Sequence, residues 1–280
     1  MYRYYINCNN WNPTKEQWNY ATRCIAKTEL ERIDKFVFQR DAKFALAGQL
    51  LIRYLLAKAL ERDSSLFDIQ RTDRGRPFIK WTRKFDFNLS HHHHLVCIAG
   101  TFDEQVGCDT MQYQVNEVPR ETIESTTNLL RGEFAKDEYD FILKQTKDEK
   151  KRFRHFHRLW CLKESYVKWL GIGIGFKLAS MNFRIKTDEF DPTISNQVLS
   201  NTILELDNKP LDDKLRFDEQ IIYLSNNEQQ IITVCVSKKT DCQPFIELSI
   251  DEVLQGCTPL DANAPADEKW WKNFHGKKEK

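Results

Sequence analysis

The chain has 280 residues, of which 41% are hydrophobic, 12% aromatic and 30% charged, a composition that excludes disorder of the whole chain. Its 42 basic and 41 acidic side chains leave a net charge of +1, which gives no overall field to attract nucleic acid or an anionic membrane. The N-terminal residues form no apolar leader, and no uncharged run approaches the length of a membrane span. We therefore expect a cytoplasmic protein that binds neither nucleic acid nor membranes, with any anion site built locally.

The first half of the chain is predicted to combine one long helix with several strands. Apolar residues recur at three- and four-residue spacing from Phe44 to Leu55, which predicts a helix over residues 36–62. A glycine-proline turn, Arg74 to Pro77, follows this helix. Strands are predicted over residues 3–7, 78–81, 85–90, 95–100 and 105–109.

The second half repeats this arrangement. A long helix is predicted over residues 151–170, after shorter helices over residues 120–131 and 136–143. Strands are predicted over residues 181–185, 202–206, 220–224, 230–236 and 245–248. The eight cysteines have neither a Cys-x-x-Cys pair nor metal-site spacing, so we expect reduced thiols that lie mostly in the core.

The order of the elements indicates the fold class. Strands and helices are mixed in both halves without the strict alternation of a parallel sheet, so we predict an α+β fold of two similar lobes. Each lobe is expected to be a small, mainly antiparallel sheet packed on a long helix, and a pseudo-twofold axis is expected to relate the two lobes. The predicted lobes are residues 1–105 and 106–257, followed by a loosely ordered tail over residues 258–280.

The long helix of the second half carries Glu164 in its apolar stripe, one turn after Trp160. A carboxylate that points the same way as a buried tryptophan needs a cation, because uncompensated loss of hydration costs several kcal/mol. Lys168, at i+4, and a metal ion are the candidates for this cation. The alternative is a solvent-exposed Glu164–Lys168 pair worth about 0.3–0.5 kcal/mol, and the pattern leaves both interpretations open.

A second informative segment ends a predicted strand. Val106 and Cys108 share one face of this strand, and Gly107, Asp109 and Met111 share the other. Aspartate at a strand end, beside a glycine that permits close approach, is typical of a metal or phosphate site. It is equally typical of a turn, which is the alternative for this segment alone.

A third segment is rich in hydrogen-bond donors. In the strand from Phe85 to Ser90, the polar residues Asp86, Asn88 and Ser90 lie on one face, and His91 follows at the strand end. Amide, hydroxyl and imidazole groups are good phosphate donors, and the basic residues of the loop from Arg71 to Arg76 lie just upstream. The alternative is a solvated strand face.

Two further patterns are not favoured as sites. Four consecutive histidines, His91 to His94, suggest a transition-metal site, but adjacent strand residues point in opposite directions and cannot all bind one ion. The glycine-rich run from Gly171 to Gly175 follows a helix and does not join a strand to a helix. We therefore interpret this run as a C-terminal helix stop and not as a dinucleotide loop.

These segments occur together and in order in one known family. The strand that ends in Gly107-Cys108-Asp109 precedes, by about fifty residues, a helix with the pattern Trp-x-x-Lys-Glu-x-x-x-Lys from Trp160 to Lys168. This combination resembles the signature of the 4′-phosphopantetheinyl transferases. The Gly-Arg-Pro turn and the Asn-Leu-Ser-His strand resemble that family's coenzyme A phosphate sites, so the resemblance runs from about Phe36 to Gly175. The chain is most similar to the long, two-lobed, monomeric type.

The resemblance implies a reaction: the 4′-phosphopantetheine arm of coenzyme A is transferred to a serine of acyl or peptidyl carrier protein domains, such as those of fatty acid synthase, with release of adenosine 3′,5′-bisphosphate. It implies Mg²⁺ bound by Asp109 and Glu164, which would neutralise charge on the pyrophosphate. Lys168 would hold a phosphate oxygen, so the implied catalytic residues are Asp109, Glu164 and Lys168. Either Glu164 or a metal-bound water would take the serine proton.

The resemblance also implies which residues contact coenzyme A. They are Arg40; Arg71, Thr72, Asp73, Arg74, Gly75 and Arg76; Asn88, Leu89, Ser90 and His91; and Glu164, Ser165, Tyr166, Val167 and Lys168. Ser90 and His91 are the best candidates for the 3′-phosphate.

One position departs from the bacterial pattern, which has a second acid two residues after the aspartate, where this chain has Met111. A thioether is a poor Mg²⁺ ligand, so water would take its place and the metal would have only two protein carboxylates. Two other functions stay open at this point. A non-catalytic coenzyme A-binding module would use the arginines without a metal, and an acyl-CoA-dependent transferase would use the thioester instead of the pyrophosphate.

Overall fold

The computed structural model describes residues 1–81, 83–113, 122–173, 175–191, 193–194, 196–211, 214–224 and 228–279. The predicted helix start at residue 120 lies outside these ranges. The helices are α1 Lys15–Arg23, α2 Lys27–Asp34, α3 Gln39–Leu60, α4 Ile123–Leu129, α5 Lys136–Lys144, α6 Glu149–Leu170, α7 Ile250–Gln255 and α8 Glu268–His275. The strands are β1 Tyr2–Asn7, β2 Ile69–Arg71, β3 Pro77–Ile79, β4 Phe85–His92, β5 Leu95–Phe102, β6 Val106–Gln112, β7 Met181–Arg184, β8 Val198–Leu199, β9 Ile203–Leu206, β10 Lys209–Pro210, β11 Leu215–Tyr223, β12 Gln229–Ser237 and β13 Ile246–Glu247.

The first half is built on a four-stranded sheet in the order β13-β1-β5-β4. Strands β1, β5 and β4 pair antiparallel, whereas the short strand β13 pairs parallel to β1. Helix α3 packs against this sheet, and most of its side chains are buried, including Leu50, Leu51 and Leu55. The predicted long helix of the first half is thus confirmed, and it is the centre of the first hydrophobic core.

The second half is built on an antiparallel sheet in the order β6-β12-β11-β8, with smaller sheets β10-β9-β7 and β2-β3 elsewhere. Helix α6 packs on β6 and β12. It begins after Asp148, whose side chain accepts hydrogen bonds from the backbone N–H groups of the first turn, and it ends at Gly171 with φ of 68°. The interpretation of the glycine-rich run as a helix stop is therefore confirmed at Gly171.

Strands β4 and β6 lie side by side at the edges of their two sheets, and side chains join them where backbone pairing does not. Three side chains of β4 accept hydrogen bonds from backbone N–H groups of β6. The pairs are Asp86 with Val106 (2.9 Å), Asn88 with Cys108 (2.8 Å) and His92 with Gln112 (3.0 Å). We call this set the side-chain ladder. Because alternate strand residues share a face, the polar face predicted for this strand is the face that joins the two halves.

The C-terminal residues return to the first half. Strand β13 pairs with β1, α7 packs on α3, and α8 packs on α1. Trp270 and Phe274 of α8 are buried, and the Phe274 ring stacks on Trp18 at a centroid distance of 3.7 Å. The chain beyond α8 is also paired, since the Gln39 N–H donates to the Lys278 carbonyl and the Lys278 N–H donates to the Val37 carbonyl.

The structure differs from the sequence-based expectation at this end. The tail over residues 258–280 was expected to be loosely ordered. It contains α8 instead, because Trp270 and Phe274 are buried in the first core, where α8 packs against α1 and α2. Residues from Ile246 to Cys257 were expected in the second lobe and pack on the first half. The mixed α+β class is confirmed, whereas the boundary between the lobes at residues 105 and 106 and the pseudo-twofold axis stay predictions. Within the described ranges, no helix has both the length and the apolar character needed to cross a membrane.

Candidate active site

A cavity of about 1040 Å³ opens between the two halves of the chain. The first half contributes side chains from α3, from the loop before β3 and from the end of β4, such as Phe44, Arg74 and His91. The second half contributes α6 with Glu164 and Lys168, together with the chain that follows this helix. Small-molecule sites measure about 300–1,000 Å³, so this cavity is large enough for an extended ligand.

The two halves contribute different chemistry to the cavity. Its basic residues outnumber its acidic ones, and all of the arginines come from the first half. The basic residues are Arg32, Arg40, Arg71, Arg74, Arg76 and Lys168, and the acidic residues are Asp41, Glu133 and Glu164. Both halves contribute apolar side chains: Phe36, Phe44, Ala45, Ile52, Pro77 and Leu89 from the first half, and Leu130, Trp160, Val167, Phe176 and Leu178 from the second. The net charge of +1 therefore conceals a local basic surface.

Helix α6 lies unusually close to β6 because of Gly107. A Cβ atom at this position would lie 2.0 Å from the Ser165 carbonyl oxygen and 2.3 Å from the Trp169 nitrogen. Only glycine permits this separation, because both contacted atoms belong to the helix backbone. The close approach that the glycine was expected to allow is thus that of a helix, and it brings Glu164 and Lys168 towards Asp109.

Asp109, Ser90 and Lys168 form one hydrogen-bonded group. The Lys168 Nζ donates to Asp109 Oδ1 at 2.6 Å and to Ser90 Oγ at 2.8 Å, and Ser90 Oγ donates to the same Asp109 oxygen at 2.8 Å. Asp109 and Ser90 are buried, whereas Lys168 is half-buried at the cavity wall. Burial lowers the pKa of Lys168, but Asp109 outweighs this effect and leaves the pKa raised, so the ammonium stays charged.

Glu164 faces the cavity without a hydrogen bond or ion pair to any described residue. Its pKa is raised, first by burial and then by the negative charge of Asp109. Lys168 pairs with Asp109 and not with Glu164, so the alternative of an ordinary Glu164–Lys168 surface pair is wrong. The negative charge that Asp109 places near Glu164 favours a further cation at this point of the cavity wall.

The loop arginines differ in their availability for a ligand. Arg76 donates to the Lys168 and Val106 carbonyls and pairs with Asp86, so its guanidinium holds α6, β6 and β4 together. Arg71 donates to both carboxylate oxygens of Glu29 and to the Gly75 carbonyl.

Arg74 and Arg40 line the cavity and have fewer protein partners than Arg76 and Arg71. No described residue pairs with Arg74, and Arg40 has only a contact with Asp41 at 3.7 Å. Thr72, Asp73 and Gly75 form the turn itself, where Gly75 has a φ of 80° and Thr72 caps the Arg76 N–H. Arg74 and Arg40 are thus the arginines with free donors for an anion.

At the end of β4, some side chains contact neighbouring parts of the protein and others line the cavity. The Asn88 side-chain oxygen accepts from the Cys108 N–H in the ladder, and Leu89 packs against the Gly48 position of α3 while it also lines the cavity. His91 opens into the cavity, where desolvation and then the positive charge of Lys168 lower its pKa. At neutral pH the imidazole is therefore neutral, with one donor and one acceptor.

Three neighbours of Glu164 were also expected to contact coenzyme A. Val167 lines the cavity. Ser165 is fully buried and donates to the Leu162 carbonyl at 2.7 Å, and the buried ring of Tyr166 stacks on Trp169. The side chains of Ser165 and Tyr166 therefore point away from the cavity, because on a helix the positions one and two residues after Glu164 lie on other faces.

A buried ion pair beside the cavity was not anticipated from the sequence. Lys163 Nζ lies 2.7 Å from Glu138 Oε2 and donates to the Leu178 and Met181 carbonyls, at 2.9 Å each. Glu138 in turn accepts from the Phe183 N–H. This pair fixes the segment that carries Leu178 to α6. No sequence pattern indicated this pair, since Lys163 is one of many charged residues on its helix.

Comparison with known proteins identifies the family. The model described as 4′-phosphopantetheinyl transferase, N-terminal, matches residues 9–103, and that of the 4′-phosphopantetheinyl transferase superfamily matches residues 105–235. The L-aminoadipate-semialdehyde dehydrogenase-phosphopantetheinyl transferase of Mus musculus is 30% identical over 292 aligned positions, covering 97% of this chain and 90% of the mouse protein. The chain belongs to the 4′-phosphopantetheinyl transferase family.

Two further relatives match a shorter part of the chain. A phosphopantetheinyl transferase of Thraustochytrium is 38% identical over 168 positions, covering 58% of this chain and 57% of the relative. The 4′-phosphopantetheinyl transferase Sfp of Bacillus subtilis is 28% identical over 165 positions, covering 59% of this chain and 68% of Sfp. The resemblance inferred from the sequence is confirmed, and the protein is an enzyme of this transferase class.

The family implies a magnesium ion, and the residues present fit one. Asp109 and Glu164 provide carboxylate oxygens, which are the ligands that Mg²⁺ prefers. The negative charge of Asp109 reaches Glu164 and raises its pKa, and Glu164 has no competing partner among the described residues. Asp109 and Glu164 would therefore hold the ion, and Met111, on the same face of β6, offers it no oxygen.

Proposed function

We propose that this transferase moves the 4′-phosphopantetheine arm of coenzyme A, with Mg²⁺, to a serine hydroxyl of an acyl or peptidyl carrier protein and releases adenosine 3′,5′-bisphosphate. The observation that carries the proposal is the hydrogen-bonded group of Asp109, Ser90 and Lys168. Its Lys168 lines a cavity with both arginines and apolar side chains in its wall, beside Glu164, which pairs with no described residue. Catalytic roles for these residues and Mg²⁺ dependence are part of the proposal.

Coenzyme A matches the composition of the cavity. Its phosphates need cationic donors, which Arg40 and Arg74 supply, and His91 and Ser90 suit the 3′-phosphate. Of the remaining contacts proposed from the sequence, Arg71, Gly75, Arg76, Asn88, Leu89, Glu164, Val167 and Lys168 line this cavity, and Thr72 and Asp73 line a smaller neighbouring pocket. The pantetheine arm is uncharged and largely apolar, and Trp160, Phe176 and Leu178 suit it.

The proposed chemistry is an in-line phosphoryl transfer. The serine oxygen forms a bond to the phosphorus that carries pantetheine, the P–O bond of the pyrophosphate breaks, and the electron pair leaves with adenosine 3′,5′-bisphosphate. Bound magnesium supplies charge neutralisation at the pyrophosphate. Lys168, held at the cavity wall, donates to a phosphate oxygen, and its ammonium is charged throughout. Glu164 faces the cavity without a partner among the described residues, and it is the acceptor that we propose for the serine proton.

Mass spectrometry of an intact carrier protein tests the proposal. An apo acyl carrier protein incubated with the enzyme, coenzyme A and Mg²⁺ is expected to gain the mass of phosphopantetheine. Asp109→Ala and Glu164→Ala are expected to abolish the gain, whereas Glu31→Ala, which removes an exposed carboxylate of α2, leaves it unchanged. No gain with several unrelated carriers, despite measurable coenzyme A binding, would point to a binding module.

A second comparison separates this reaction from acyl-CoA chemistry. A phosphopantetheinyl transferase cleaves the pyrophosphate, so free coenzyme A and acetyl-CoA both serve as donors. An enzyme that used the thioester would be inactive with free coenzyme A.

We further propose that the enzyme works in the cytoplasm as a monomer of two pseudo-twofold lobes, on carriers that include the acyl carrier domain of fatty acid synthase. Light scattering after gel filtration measures the oligomeric state.

A further inference from the structure

The turn between β4 and β5 brings together two of the four consecutive histidines. Strand β4 ends at His92 and β5 begins at Leu95, so His93 and His94 form the turn. His93 has a φ of 53°, which interrupts the strand alternation that would send neighbouring side chains to opposite faces. The two imidazole rings consequently lie with their centroids 3.7 Å apart.

A carboxylate from the other half of the chain meets these rings. Glu228, the residue before β12, places its Oε2 atom 3.7 Å from His94 Nε2. One ligand atom from each of His93, His94 and Glu228 lies within 4.8 Å of the other two. In a tetrahedral zinc site, metal–ligand distances of about 2.0–2.1 Å place the ligand atoms about 3.4 Å from one another. Shifts of roughly 1 Å in these half-buried side chains therefore complete such a site.

We propose that His93, His94 and Glu228 bind one zinc-like divalent metal ion, at a site separate from Asp109 and Glu164. Two imidazoles and one carboxylate are the ligands that zinc accepts in open sites, where water fills the fourth position. Magnesium prefers oxygen ligands, so the two sites differ in metal preference. His93 also lines the cavity proposed for coenzyme A, but zinc binding at the turn requires none of the transfer chemistry proposed above.

The surroundings define the limits of the site. The positive charges of Arg40 and Lys43 reach His94 and oppose cation binding, while the carboxylate of Glu228 favours it. His92 is not a ligand, because its Nδ1 atom accepts from the Gln112 N–H in the side-chain ladder. Strand alternation therefore prevents neighbouring histidines of β4 from binding one ion, but His93 and His94 lie in the turn, where this alternation ends.

A bound ion would join the halves of the chain. His93 and His94 belong to the first half and Glu228 to the second. Nearby, two hydrogen bonds already cross between the halves, from Gln230 Nε2 to the His92 carbonyl at 2.6 Å and from the Gln112 N–H to His92 Nδ1 at 3.0 Å. A metal that binds the folded chain and not the unfolded chain stabilises it by mass action. Zinc is therefore expected to raise the thermal midpoint.

Equilibrium dialysis of the full-length protein against Zn²⁺ in excess Mg²⁺ tests the site. A Cys242→Ser background removes the exposed thiol, since the other seven cysteines are buried. We expect one zinc per chain, and an affinity at least tenfold lower in His94→Gln and in Glu228→Gln. His275→Gln, which removes an exposed histidine of α8, is the matched control and keeps full binding.

Two further readouts keep the test decisive. Co²⁺ is expected to give visible absorption typical of four-coordinate nitrogen and oxygen ligation, and Zn²⁺ is expected to abolish it by competition. Zinc is expected to raise the thermal midpoint of the parent protein but not that of Glu228→Gln, whose fold is checked by circular dichroism without metal. Absence of stoichiometric zinc in the parent, or unchanged binding in both variants, would overturn the proposal. Carrier modification in Mg²⁺ is measured separately, so the two proposals fail independently.

Discussion

Glu164 is the residue at which stability and activity conflict. It is held in the cavity wall without a partner among the described residues, and burial together with Asp109 raises its pKa. A carboxyl group whose pKa is raised by folding destabilises the folded state when it ionises. This cost is absent below the pKa of an unfolded glutamate and is complete above the raised pKa. A functional carboxylate is thus maintained at the expense of the free energy of unfolding.

We expect Glu164→Gln to raise the thermal midpoint at neutral pH without metal, because the uncharged amide removes this cost. The gain is expected to shrink as the pH falls towards about 4, where an unperturbed glutamate is protonated. Transfer activity is expected to fall by about 10²–10⁴-fold, the range typical of a lost general base. Scanning calorimetry across pH and the carrier mass assay measure the two effects. A variant less stable than the parent at neutral pH would contradict this account.

Met111 is expected to limit magnesium affinity. It lies two residues after Asp109 on β6 and therefore on the same face, where it provides sulfur and not oxygen. Met111→Glu is expected to lower the Mg²⁺ concentration that gives the half-maximal rate, because a third carboxylate joins the site. Met111→Gln is the matched control for side-chain size without charge. A requirement that stays unchanged or rises in Met111→Glu would show that this position does not reach the metal.

Among the individual residues, sequence reasoning identified those that share a strand or helix face. It predicted Asp109 and Glu164 as a pair but did not predict that Lys168 would bond to Asp109, because this contact depends on how closely α6 approaches β6. Sequence reasoning assigned Arg76 to phosphate binding. In the structure its guanidinium donates hydrogen bonds to α6, β4 and β6. Contacts between distant elements leave no periodic signal along the chain.

The packing of α6 on β6 depends on Gly107. We expect Gly107→Ala to displace the helix, since the added methyl group would meet backbone atoms that cannot rotate away. Overpacking of this kind costs about 1–3 kcal/mol. A shift of about 1 Å in Glu164 and Lys168 relative to Asp109 is expected to lower the transfer rate by about 100-fold.

Urea unfolding and the carrier assay measure these two effects of Gly107→Ala. Gly132→Ala is the matched control, because a Cβ atom at this glycine has no atom within 4 Å. Equal activity in the two variants would mean that the helix position does not control the site.

Element type was more predictable than element contacts. The apolar repeat of α3 and the alternation in β4 are local signals, and both elements appear close to their predicted bounds. The side-chain ladder between β4 and β6 was not predicted, because polar alternation looks the same whether a strand faces solvent or a neighbouring strand.

At the scale of the whole molecule, α8 completes the first core. We expect Phe274→Ala to lower the free energy of unfolding by about 3–5 kcal/mol, because its ring is buried against Trp18. Leu66→Ala is the control, since that side chain is 66% exposed and its loss costs little. Chemical denaturation with tryptophan fluorescence measures the difference. A similar, small effect in both variants would mean that α8 does not contribute to the core.

The return of the chain to its first half was beyond sequence reasoning. The tail has prolines and a lysine-rich end, which are typical of loose segments, and its two buried aromatic residues are spaced as in many surface helices. Which surface an amphipathic helix covers depends on an unfilled gap elsewhere in the fold, and that gap between α1 and α2 exists only in three dimensions.

The elements β13, α7 and α8 complete a core that begins at β1. This core therefore stays incomplete until these late elements have been synthesised. A ribosome adds about 5–20 residues per second, so the β1–β5 pair waits on the order of ten seconds for its last partners to be synthesised. The second half is contiguous along the chain and needs no such delay. During translation, the middle of this protein can therefore mature first, while the face of α1 that α8 covers stays exposed until α8 has been synthesised.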